Sequence, residues 1–349
     1  MISFVNDYSE AAIPEILDMI YKTNFKGNPA YSSDIHTKVA HDYIKEKIQL
    51  QDAEIQIIPG GTQTNMIALA AFLRPHEAVI AVKTGHICVH ETGSIESTGH
   101  KCIEVAGADG KVTPEDIEEI CSPKYWDHAG ILMVKPKMVY ISQSTEVGTV
   151  YMMEELMALR KVCDKYNLLL YCDGARLSSA LDCSDVDFPS LARICDAFYI
   201  GGTKNGALFG EALVIINKSL QKDFRYIAKQ RGGMLAKGWL LGIQFEVLMH
   251  NGVYEKIGKK ANLMASKLKS GLTDLGITFS VDSPSNQLFP IMPNKLLQCL
   301  QKEFAWEVIR VIDDDYTEIR LVTSWATKEE NIYYFLQKIK EVLHNEGIR

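Results

Sequence analysis

The chain of 349 residues is long enough for two domains and a large core, at about 100–200 residues per domain. Its 47% hydrophobic and 23% charged residues, with mean hydropathy near zero, describe an ordinary globular protein and exclude a disordered or fibrous one. The net charge of −7 is spread along the chain with no basic run to track a phosphate backbone, so nucleic acid is not an expected partner.

The N-terminal "MISFVNDYSEAAIPEIL" lacks the basic start, apolar core and small-residue cleavage site of a secretory signal. No apolar run approaches the roughly 18 residues of a membrane span. No membrane partner is expected, and the expected location is the cytoplasm.

From about residue 55 to 217, short apolar runs alternate with segments of helical period, which predicts an α/β fold with a mostly parallel sheet covered by helices. The expected strands are "AVIAV", "KCIEVA", "MVYISQ", "LLLYCD", "AFYIGG" and "ALVIIN". Their nearly unbroken apolarity suits strands buried on both faces. Thr113, Pro114 and Asp116 predict a capped helix start, and "YMMEELMALRKVCDKYN" the next helix. Beyond about residue 236 the pattern changes to a smaller α+β unit with strands "TFSV", "LFPIMP" and "EIRLVTSW". Its last helix is expected to start at a Thr327/Glu330 capping box. The predicted organisation is therefore an N-terminal segment (1–25) packing with the small domain, a large domain (26–240) and a small C-terminal α+β domain (241–349).

Eight cysteines without a C-x-x-C pair, and histidines that do not pair with them at ligand spacings, predict reduced thiols and no metal site. Three stretches could carry chemistry. Gly60, Gly61 and Thr62 open an amphipathic helix whose N–H groups and dipole suit an anion, although such a sequence also serves as a simple turn and cap. Asp173 and Arg176 follow a buried strand, at the edge where open α/β sheets bind ligands; a capping Asp paired with an Arg is the structural alternative. Lys204, 31 residues after Asp173, again follows a strand, where it could hold a phosphate, form an imine or cap an edge. A lysine, a carboxylate and an anion site together match what pyridoxal 5'-phosphate (PLP) demands of a protein.

The motifs "GGTQTN", "GHICVHETGS", "DGARLSSA", "GGTKNGALFG" and "EIRLVTSW" follow the order and rough spacing seen in the threonine aldolase and β-eliminating lyase group of fold-type I PLP enzymes, which most of the chain resembles. The resemblance implies a seven-stranded-type sheet with helices on both faces. It implies Lys204 as the Schiff-base lysine and Asp173 as partner of the pyridine nitrogen. Gly61, Thr62 and Thr203 would hold the phosphate, His86 would lie against the ring, and Glu91 would be an acid near the reacting centre. Arg176 and Arg320 would bind the carboxylate of a small amino-acid substrate. Tyr31 resembles a tyrosine lent to a neighbouring subunit, which implies a homodimer or homotetramer with active sites at the subunit interface.

The sequence departs from the family in three places. "NDYSEAA" replaces "DT-x-T-R-P", so Asn6, Tyr8 and Ser9 stand where the substrate pocket is lined. Leu235 replaces an arginine, with Arg231 and Lys237 as candidate substitutes. A family histidine ahead of "MVYISQ" has no counterpart, with Met133 near its place and His128 a few residues upstream. The expected reaction is cleavage of L-threonine or L-allo-threonine to glycine and acetaldehyde, with His86 or His90 as base. The alternatives are β-elimination, decarboxylation or transamination of another amino acid, or a catalytically silent PLP-binding protein.

Overall fold

The structure, a computed structural model, describes residues 1–122 and 130–346. His128 lies outside the described residues. Seven strands among them form the large sheet: β2 (Glu54–Ile58), β3 (Glu77–Val82), β4 (Cys102–Val105), β5 (Lys135–Ser142), β6 (Leu169–Asp173), β7 (Ala197–Gly201) and β8 (Glu211–Ile215). Their order is β2-β8-β7-β6-β5-β3-β4, and only β8 runs antiparallel to its neighbours among the described strands. Every residue of β3, β6, β7 and β8 is buried, which accounts for the lack of alternation in those runs. One apolar cluster, including Ile57, Ile80, Val139, Leu170 and Phe198, covers one face; another, including Ile58, Val79, Met138, Tyr171 and Leu213, covers the other.

This order brings the functional loops to one edge. β5, β6 and β7 are parallel, and the register sets Ser142 beside Asp173. β8 begins at that edge, with Glu211 paired to Gly201 on one side and Ile58 on the other. From there β2 leads through Gly60 into α3 (Gly61–Phe72), and β3 through Gly85 into the short α4 (His86–Val89).

The smaller unit has a sheet of order β10-β14-β11-β9, with β13 also on β14. Its strands are β9 (Thr278–Phe279), β10 (Gln287–Leu288), β11 (Pro290–Pro293), β13 (Glu307–Val311) and β14 (Tyr316–Val322). Phe4, Leu268, Leu321 and Phe335 belong to its core. The N-terminus is tied to it, since β1 (Ile2–Ser3) pairs with β12 (Phe304–Ala305) and Phe4 O accepts from Val322 N at 2.8 Å.

The cores divide the chain differently from the expected boundaries. Ala12, Ile13 and Ile16 pack into the large-sheet core, so only the first few residues join the small unit. Leu241, Phe245 and Leu248 of helix Trp239–Met249 also bury against the large sheet, past the expected division at residue 240. Helix Pro114–Cys121 has the full Thr113/Asp116 capping box. At the last helix, Thr327 instead turns its hydroxyl to Ser324 N (2.8 Å) and the helix runs Glu329–Glu346.

Candidate active site

A cleft of about 400 Å³ opens at the functional edge of the large sheet and is lined by residues that include Gly60–Thr62, His86, Asp173, Arg176, Thr203 and Lys204. Its position follows from topology, because ligands of open α/β sheets sit outside the carboxyl ends of the strands.

Asp173, the last residue of β6, is 3% exposed. It accepts hydrogen bonds from the hydroxyls of Tyr140 and Tyr199, from Asn65 Nδ2 (3.0 Å) and from Ala175 N (3.0 Å). Burial alone would raise its pKa; His86 and the hydrogen bonds from Tyr140, Tyr199 and Asn65 overcome that and hold it below the ordinary carboxylate value. The site thus presents an ionised carboxylate at the cleft wall.

Lys204 follows β7 in a turn, with its Nζ 5.9 Å from the centre of the Tyr8 ring. Burial and the adjacent Arg176 charge push its pKa down, against the opposing pull of Asp7, Asp173 and Glu211. A larger share of neutral amine, the nucleophilic form, follows.

At the mouth of α3, Gly60 is the N-cap and supplies no side-chain cap. The first N–H groups of the helix are therefore left for a ligand or water. An added Cβ on Gly61 would meet Tyr199 Oη at 3.3 Å, and one on Gly60 would meet nothing within 4 Å. Thr203 Oγ1 accepts from Gly210 N (3.1 Å), which closes the Lys204 turn.

His86 lines the cleft, and behind it Nδ1 meets Glu91 Oε1 at 2.7 Å. Glu91 itself does not line the cleft. It is 6% exposed, held by Asn65 Nδ2 (2.8 Å) and Ser94 Oγ (2.5 Å), and acts on the site by fixing the His86 ring. His90 is on the cleft wall with its ring 5.5 Å from that of His86, and burial followed by the His86 charge lowers its pKa.

Arg176 reaches the cleft in a buried ion pair, with Nε 2.7 Å from Asp7 Oδ2 and Nη2 3.1 Å from Oδ1. Asn286 Nδ2 donates to Asp7 Oδ2 at 2.9 Å. Arg320 lies near enough for Arg176 and Asp7 to shift its pKa, but its guanidinium is paired with Glu307 and does not line the cleft. Burial followed by the Arg176 charge lowers the Arg320 pKa.

Several expected pocket residues stand elsewhere. Ser9 Oγ donates to Asn6 Oδ1 (3.0 Å) on the exposed surface, and Tyr8 occupies the cleft instead. Tyr31 is 41% exposed, in the left-handed region at φ 57° with Lys229 over its ring, and does not reach the cleft of its own chain. Leu235 packs on the large core, Lys237 is exposed, and neither it nor Arg231 lines the cleft. Met133 lines a separate cavity with His76 and Ile131.

The cleft also uses residues that sequence reasoning missed: Asp7, Asn65, Tyr140, Tyr199, Glu146 and Glu211. Glu146 Oε1 accepts from His86 N (2.9 Å) and Ser142 Oγ (2.6 Å). Glu146 Oε2 and Ser144 Oγ have no partner among the described residues, although both side chains line the cleft.

The family model for the beta-eliminating lyases matches residues 11–292. The chain belongs to the beta-eliminating lyase family. Among solved structures, a Leishmania major threonine aldolase superposes on this family member with TM-score 0.96 and 44% identity, over 98% of this chain and all of that one. A low-specificity L-threonine aldolase of a Pseudomonas species is 31% identical over 346 residues, 97% of each chain. A Thermus thermophilus aspartate aminotransferase, at 16% identity and TM-score 0.72 over 98% of this chain and 92% of that one, has the same fold. The beta-eliminating lyase described here is therefore of the aspartate aminotransferase-like, fold-type I architecture, and its family and fold imply dependence on PLP.

Proposed function

We propose that the chain is a PLP-dependent lyase that cleaves L-threonine or L-allo-threonine between Cα and Cβ to glycine and acetaldehyde. The observation that carries this reading is the single cleft edge holding Lys204, the ionised Asp173, the ring of His86 and the uncapped mouth of α3. The donor set fits the group: Lys204 for the aldehyde, Asp173 for the ring nitrogen, and Gly61, Thr62 and Thr203 for the phosphate. Bound there, PLP supplies an electron-poor ring that stabilises negative charge at the substrate's α-carbon.

The chain's own residues do the rest. Arg176, pinned by Asp7, presents a fixed guanidinium to the substrate carboxylate. Arg320 is the second candidate for that carboxylate, after exchange of its Glu307 partner. His90, its imidazolium disfavoured by burial and by His86, accepts the β-hydroxyl proton at a ring nitrogen. Glu91 holds His86 in place through Nδ1.

The test is release of acetaldehyde from L-threonine by the purified holoenzyme, followed with a coupled reductase. Release that depends on Lys204 is the expected result. No acetaldehyde, together with ammonia or a keto acid from another amino acid, would refute the aldol reading and leave the cofactor assignment standing.

A further inference from the structure

Glu211 is an unexpected acid for its surroundings. It is 4% exposed and lines the cleft together with Gly60, Gly61, Thr62 and Thr203, the residues assigned above to a phosphate. The sheet places it there, since β8 begins at Glu211 between Ile58, two residues ahead of Gly60, and Gly201, two ahead of Thr203. Its Oε2 accepts from Gly202 N at 2.8 Å, and the Thr203 side chain also hydrogen-bonds the carboxyl group. The charged and titratable groups that face it are Lys204 on the same turn, Asp173 and Tyr171 from β6, Tyr199 from β7 and Tyr254 from helix Val253–Asp274.

An ionised carboxylate beside a phosphate dianion would set like charges together where water screens them poorly. A neutral carboxyl group reverses the sign of the interaction, because its O–H donates to a phosphate oxygen while the other oxygen keeps the Gly202 bond. We propose that Glu211 is the proton-carrying donor of the phosphate cradle, neutral whenever a phosphate monoester is bound, so that binding draws one proton from solvent if the free site is ionised. The inference rests on the PLP reading. Its proton balance is simple: solvent supplies one proton, Glu211 takes it, and no covalent bond of the ligand changes.

Burial pushes the Glu211 carboxyl up to about 8, against the hydrogen bonds from Thr203 and Gly202 and the charge of Lys204. The free site is then about nine-tenths protonated at pH 7 and about one-tenth at pH 9. Affinity for a phosphate monoester falls by about tenfold between them if only the protonated form binds.

The experiment uses full-length protein freed of cofactor and pyridoxine 5'-phosphate, which carries the phosphate but no aldehyde for Lys204. Titration calorimetry at pH 7 and pH 9, in buffers of different ionisation enthalpy, reads affinity and proton uptake together. The wild type is expected to bind about tenfold more weakly at pH 9 and to take up close to one proton there. Glu211→Gln, neutral at both pH values, is expected to take up none and to lose most of the pH dependence. Lys204 titrates in both proteins, so their difference reports Glu211. No uptake by the wild type at pH 9, or uptake retained by Glu211→Gln, overturns the proposal.

A second measurement stands independently of the variant's folding. Infrared difference spectra of the wild type at pH 9 should gain a protonated-carboxyl band on binding, and no such band overturns the proposal. Failure of the wild type to bind pyridoxine 5'-phosphate at either pH would instead overturn the PLP reading itself.

Discussion

Replacing Asp7 with alanine removes the group that holds Arg176 in the cleft. The two side chains are 1% and 9% exposed, and the pair is bidentate, with Asn286 supplying a third hydrogen bond to the carboxylate. Asp7→Ala leaves the guanidinium charged and buried without its partner, a change that costs about 3–5 kcal/mol. At a few degrees per kcal/mol, the melting temperature should fall by about 5–15 °C. The loosened Arg176 should also raise KM for threonine, by about tenfold for each 1.4 kcal/mol of lost carboxylate binding.

A thermal scan of the holoenzyme and steady-state kinetics measure both effects. The double variant Asp7→Leu/Arg176→Leu should recover part of the stability, because no buried charge remains, but none of the substrate binding. The pH arm has a definite sign. Burial would raise the Asp7 pKa, but the charges of Arg176 and Lys204, with the hydrogen bonds from Arg176 and Asn286, outweigh it and lower the value. Asp7 therefore contributes stability that is present above its unfolded pKa of about 3.9 and is lost as pH falls through the lower folded value. The gap between wild type and Asp7→Ala should narrow below about pH 4. A loss under about 1 kcal/mol with KM unchanged would refute the reasoning, since a pair this buried cannot be so lightly removed.

Asn65 donates to both Glu91 and Asp173 and accepts from Tyr171 Oη at 3.1 Å. Asn65→Ala should cost about 1–3 kcal/mol by stranding these groups, and Asn65→Asp should be worse because it sets a third carboxylate between two; cofactor retention on gel filtration and the melting temperature check both. A Cβ on Gly174 would lie 1.9 Å from the Tyr199 carbonyl oxygen, whereas one on Gly60 meets nothing within 4 Å. Gly174→Ala should abolish soluble expression or lower stability by more than about 3 kcal/mol, and Gly60→Ala should change it by less than about 1 kcal/mol, as read from soluble yield and a urea transition.

The large sheet was legible because its strands are buried on both faces, so hydrophobic runs such as those of β6 and β7 needed no alternation to betray them. Asp173, Arg176 and Lys204 were legible for a related reason: a polar residue just past a buried strand has few places to go except the ligand edge. The supporting residues were not. Tyr140 and Tyr199 sit inside apolar strands and read as core until the fold turns both hydroxyls to one carboxylate. Asn65, Glu91 and Asp173 form one network only because α3, the α4 loop and β6 meet at one edge. The polar Asn65 among the apolar residues of α3, and Glu211 at the head of "EALVI", were the available signals. Arg320 and Ser9 show the converse, in that a motif position fixes a place in the chain while a nearer partner, Glu307 or Asn6, fixes the side chain.

The union of β1 with β12 and of Phe4 with β14 bears on the order in which the molecule is assembled. Residues 2–4, just ahead of Asp7, leave the ribosome long before their partners at 304–305 and 322. The large sheet can gather as its strands emerge, while the strap formed by residues 2–4 must wait, unpaired, until residues 304–322 are made. Closing so long a loop is slow. The cleft that needs the Asp7–Arg176 pair is thus completed late, only once residues 304–322 have been made, and loss of β12 and β14 would disable a site more than a hundred residues upstream.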